Sequence, residues 1–83
     1  MSDSKKLELM NSVLVKMEDL KNSQESLIGK IGQIEVQLFE INSPDLDKEL
    51  SKVIDRASET LTIIQNAKNN FEEKRDNLSK SAS

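Results

Sequence analysis

At 83 residues, 33% charged and 35% hydrophobic, with Phe39 and Phe71 its only aromatics, the chain has room for one small domain and little material for a self-contained globular core. Cysteine and histidine are both absent, which removes disulfides, thiolate chemistry and the common zinc sites and leaves a partner as the remaining source of stability. The net charge of −3 is spread evenly, five basic and seven acidic residues in 1–41 against seven and eight in 42–83, so neither half forms the basic patch of a nucleic-acid surface.

The first residues, Met1-Ser2-Asp3-Ser4-Lys5-Lys6, lead into an amphipathic pattern instead of the apolar core of a signal peptide. No apolar run approaches the ~18 residues that span a bilayer, and the expected location is cytoplasmic. Ser2 or Ser4 is placed to cap a first helix. From Met10, the residues Met10, Val13, Met17, Leu20, Gln24, Leu27, Ile31, Ile34, Leu38 and Ile41 alternate steps of three and four. That is a heptad a/d stripe, and it predicts a helix over about 3–41. Gln24 is its lone polar member, the kind of residue that fixes register in a coiled coil.

Pro44 is the only proline and cannot lie inside a helix without losing a backbone hydrogen bond and clashing with the preceding turn. It suits the first position of a second helix, with Ser43 as N-cap and Asp45 and Asp47 on the positive end of the new dipole. The turn therefore falls at Asn42-Ser43-Pro44-Asp45. Leu46, Leu50, Val53, Ala57, Thr60, Ile64, Ala67, Phe71, Lys74 and Leu78 carry the same spacing through a helix over about 44–79, with residues 1–3 and 80–83 as frayed ends of a single 1–83 domain.

A turn this short forces the helices antiparallel, and the chain reads as an all-α two-helix hairpin, coiled-coil-like and about 50 Å long. Folding it at the turn pairs the two stripes so that each pair of residue numbers, from Ile41 with Leu46 to Met10 with Leu78, sums to 87 or 88. Small Ala57, Thr60 and Ala67 then meet large Ile31, Leu27 and Leu20, as interdigitated layers require.

Apolar residues beyond this stripe are candidates for partner binding. Leu7, Leu14 and Ile28 occupy e positions of helix one, while Ile54 and Leu61 (e) and Ile63 (g) widen helix two toward the three-in-seven face of larger bundles. Gly29, Gly32, Val36 and Phe39 share the outer face of helix one. Each mid-helix glycine there costs roughly 1 kcal/mol relative to alanine, which fits close approach of a partner backbone, a kink, or no special role. The predicted partner-binding set is Leu7, Leu14, Ile28, Gly29, Gly32, Val36, Phe39, Leu61 and Ile63.

Chemistry is sparse. Glu18-Asp19, Glu72-Glu73 and Asp45/Asp47/Glu49 are the nearest things to carboxylate pairs, and they fall mostly on polar faces among Lys48, Lys52, Arg56 and Arg75. A di-metal carboxylate bundle needs Glu-x-x-His, and Gly29-Lys30-Ile31-Gly32 lacks phosphate-loop spacing. The expected function is non-enzymatic: an assembly factor, adaptor or small chaperone that binds partner helices or assembles as a homo-oligomer. No catalytic residue, cofactor, metal, nucleic acid, membrane or small-molecule substrate is expected. The alternative is a dimer of hairpins regulating RNA or DNA, the architecture of the plasmid protein Rop, which would need a basic stripe that this acidic chain lacks.

Overall fold

The computed structural model describes residues 2–82, and the side chains of residues 2–81. Two helices of 39 residues each, α1 (Asp3–Ile41) and α2 (Pro44–Ala82), fold back on one another as an antiparallel hairpin. The hairpin is a rod of 60 × 16 × 15 Å. Its radius of gyration is 18.6 Å, against roughly 12 Å for a globular chain of this length.

The helix ends follow from local chemistry. Ser2 caps α1, its hydroxyl accepting the Lys5 N–H at 3.2 Å, and Asp3 places negative charge in the first turn. At the other end Asn42 turns left-handed, at φ 59°, and donates its N–H to the Leu38 carbonyl at 2.7 Å. Asparagine tolerates this conformation because its short amide is compact and polar. The Ser43 carbonyl then accepts the Asp47 N–H at 3.1 Å, and Pro44 opens α2 at the position where its missing donor costs nothing. The turn thus lies where proline placed it in the sequence. α2 continues to Ala82, three residues beyond the expected end at 79, because no glycine or proline after Pro44 interrupts it. Of the ends expected to fray, Asp3 and 80–82 are helical; Met1 and Ser83 lie outside the described residues.

The seam differs from the expected one by a rotation of both helices. One row of each stripe is covered as expected: Met10, Met17, Gln24, Ile31 and Leu38 in α1, and Leu50, Ala57, Ile64, Phe71 and Leu78 in α2. The other expected row is not. Val13, Leu20, Leu27, Ile34, Ile41, Leu46 and Val53 are 41–70% exposed, and Thr60, Ala67 and Lys74 are exposed with them. Their places are taken by Leu7, Leu14, Lys21, Ile28 and Glu35 in α1 and by Ile54, Leu61, Lys68 and Arg75 in α2, all buried or half-buried. The cross-helix contacts Glu18–Lys68 and Asn11–Arg75 each join residues whose numbers sum to 86, close to the 87 or 88 of the expected register.

The rotation covers Ile54 and Leu61 of α2 and sets polar contacts beside them. It brings Lys68 Nζ to 2.7 Å from Glu18 and 3.2 Å from Glu72, and lets Arg75 Nη1 donate to Asn11 Oδ1 at 2.8 Å. Lys21, in the seam, pairs with Glu18 at 3.5 Å and Glu25 at 3.9 Å while its aliphatic stem lies against the hairpin. Mid-seam, Gln24 Nε2 donates to the Ala57 carbonyl at 3.0 Å, a contact that the small alanine side chain leaves open. Met10, Leu14, Ile31, Leu38 and Ala57 are the buried apolar residues, and among the described residues none is fully buried.

Candidate protein-interaction face

Because the helices run antiparallel, rows displaced in the same rotational sense from their covered rows emerge on the same face of the hairpin. Val13, Leu20, Leu27, Ile34 and Ile41 follow the covered α1 row by three positions; Val53, Thr60, Ala67 and Lys74 stand likewise to the covered α2 row, with Leu46 continuing the series. Together they form a front face two helices wide along the rod. A groove near the open end is lined by Leu9, Met10 and Val13 of α1 and Phe71 of α2, with the charged Asp3 and Lys6 at its end. The opposite, rear side carries the Glu18–Lys68–Glu72 and Asn11–Arg75 contacts.

The front α1 row is apolar at all five positions, whereas the row buried in its place, Leu7, Leu14, Lys21, Ile28 and Glu35, is apolar at three. In α1 the hairpin therefore covers the less apolar flank of the stripe and leaves the more apolar one 41–70% exposed, whereas in α2 it covers Ile54 and Leu61 and leaves Thr60 and Ala67 outside. Exposed apolar side chains arranged contiguously, unlike scattered ones, mark interaction surfaces.

The residues expected to bind a partner divide accordingly. Leu7, Leu14, Ile28 and Leu61 were expected beside the seam; the structure draws them into it, and Leu14 is 7% exposed. They are committed to α1–α2 packing in this hairpin. Ile63 is exposed at the outer edge of α2. Val36 and Phe39 point outward from α1, Phe39 at 88% exposure beside a cleft of about 270 Å³ that Glu35, Leu38, Pro44 and Asp47 also line. Gly29 is exposed and Gly32 half-buried, α1 continues as helix through both, and a Cβ built on either meets nothing within 4 Å. Neither glycine is required by packing within the hairpin. The front-row residues themselves escaped the sequence reading because the same heptad spacing assigned them to the seam.

The rear-side ion pairs tune their members. The hydrogen bond from Lys68, reinforced by the Lys21 charge, holds the Glu18 carboxyl below its ordinary value, and the bonds to Glu18 and Glu72 hold the Lys68 ammonium above its own. Both side chains remain partly in water, at 41% and 21% exposure, so these are structural contacts along an edge. Among the described residues no group of three or more acidic side chains comes together as a metal site, and no helix is long and apolar enough to cross a membrane. Comparison with known proteins finds no matching family model, no matching curated protein and no matching solved structure.

Proposed function

We propose that this chain is a non-enzymatic docking module that binds other helices through its front face, in the manner of an assembly factor, adaptor or small chaperone. The observation that carries the reading is the inversion of the stripe: Val13, Leu20, Leu27, Ile34 and Ile41 form its most apolar row, and they stand outside the seam. A hairpin adapted to stand alone would turn that row inward, since each buried aliphatic side chain contributes about 1.5–3 kcal/mol. The only charged residue in the two front rows is Lys74. A nucleic-acid surface would need a basic stripe in that place, so helix packing fits this face better.

The test compares the wild-type chain with the Leu20→Lys, Leu27→Lys double variant. Circular dichroism should show both to be helical, because these positions lie outside the seam. Quantitative affinity purification from the natural source, together with sedimentation, should show the wild type associating stoichiometrically with another protein or with itself, and the variant doing neither. A wild-type chain that associates with nothing, or a variant that associates as well as the wild type, removes the basis of the proposal.

A further inference from the structure

Resting on that docking reading, we infer that the front face is covered by a second copy of this chain, the two hairpins closing into a four-helix bundle. The first support is area. A folded monomer of 9.4 kDa exposes roughly 5,000 Å² by the size scaling of globular proteins, whereas the hairpin exposes 6234 Å². One face of a rod 60 Å by 16 Å is close to 1,000 Å². Two copies joined through that face would bury about 1,900 Å², inside the 1,200–2,000 Å² range of stable specific interfaces.

The second support is shape. To cover the face fully an occupant would be apolar, two helices wide and as long as the 60 Å rod, and the front face of another copy has those dimensions. Its two rows are also unequal in a complementary way. The α1 row is large throughout (Val13, Leu20, Leu27, Ile34, Ile41), while the α2 row, from Leu46 and Val53, narrows to Thr60 and Ala67. A two-fold axis parallel to the rods lays α1 of one copy over α2 of the other. That seats Leu27 opposite the second copy's Thr60 and Leu20 opposite its Ala67, large against small as bundle layers require. Laying α1 on α1 would instead stack large on large and leave Thr60 and Ala67 facing one another across a void. Lys74 lies near the open end, where its ammonium reaches water past the bundle edge.

Sedimentation equilibrium of the purified chain over a wide concentration range tests this. The expected species is a dimer of twice 9.4 kDa, with a dissociation constant raised at least ~100-fold by Leu20→Lys, Leu27→Lys. Phe39→Ser, outside the front face, should leave the dimer intact. A wild type that is monomeric throughout overturns the inference, as does a dimer that survives the double lysine variant. If that variant proves unfolded by circular dichroism, single-cysteine copies decide, since the natural chain has no cysteine. Mixed Leu27→Cys and Thr60→Cys copies should join through a short bismaleimide, and absence of that product overturns the pairing. A monomeric wild type that still retains another protein through Leu20 and Leu27 overturns self-pairing alone; retention of nothing overturns the docking reading as well.

Discussion

Truncating Leu14 and Leu20 in parallel separates the observed seam from the one the heptad stripe suggests. Leu14 is 7% exposed and Leu20 53% exposed, although the stripe makes Leu20 the core residue. Replacing a buried leucine by alanine costs about 2–5 kcal/mol, and in a two-helix seam whose walls relax toward the hole the low end, ~2–3 kcal/mol, applies to Leu14→Ala. Leu20 is already about half in water, so the burial contribution scales down to ~1 kcal/mol for Leu20→Ala. At ~4–8 °C per kcal/mol for a domain of this size, Leu14→Ala should lower Tm by roughly 10–20 °C and Leu20→Ala by about 5 °C. The assay is thermal unfolding by circular dichroism, first in dilute solution and then across a concentration series. The Leu20→Ala penalty should grow with concentration as the front face becomes covered, while the Leu14→Ala penalty holds nearly constant. Equal penalties in dilute solution, or the reverse order, would refute the rotated seam.

Gly29→Ala and Gly32→Ala should each stabilise the isolated hairpin by about 0.5–1 kcal/mol, since an added Cβ meets no neighbour and alanine is the better helix former; chemical denaturation measures this. At the turn, Asn42→Gly should hold or improve stability, whereas Asn42→Val should cost about 1–2 kcal/mol because φ 59° brings a branched Cβ against the following carbonyl. The Glu18–Lys68 pair predicts a plateau in stability across the middle pH range. The lowered Glu18 carboxyl contributes stability that is present above its ordinary value of 4.5 and lost as pH falls through its folded value. The raised Lys68 ammonium contributes stability that is present below its ordinary 10.5 and lost as pH rises through its folded value. The Tm gap between wild type and Lys68→Met should therefore shrink under acid titration, and a gap that widens there contradicts the pairing.

Much of the hairpin is legible in the sequence because the features that fix it are local. Pro44 admits one place for the turn, Ser2 and Asp45 suit the helix starts, and the three-four spacing needs only each helix's own geometry. The α2 end was less legible, since Ser79-Lys80-Ser81 resembles a tail but contains nothing that stops a helix. The orientation of the seam was not legible for a different reason. A stripe three rows wide permits two seams that differ by a modest rotation, and in α1 apolarity alone selects the wrong one. The observed seam is marked by contacts between residues fifty or more apart, Lys68 with Glu18 and Arg75 with Asn11, which helix periodicity does not reveal.

Those contacts are worth little individually at a partly wetted edge, which makes their preference over the more apolar row informative. An isolated hairpin gains only modestly by choosing them, and leaves Val13, Leu20, Leu27, Ile34 and Ile41 41–70% exposed. In a bundle the same choice loses nothing, because the front row is covered by the partner while the rear ion pairs remain at the water boundary. Both flanks of the stripe are then satisfied at once, which neither two-helix seam achieves. Of the residues the sequence marked as left over, Leu7, Leu14, Ile28 and Leu61 become part of the inner rows of such an assembly, and only the uncovered row of the expected seam, Val13, Leu20, Leu27, Ile34 and Ile41 with their α2 counterparts, becomes the contact between copies.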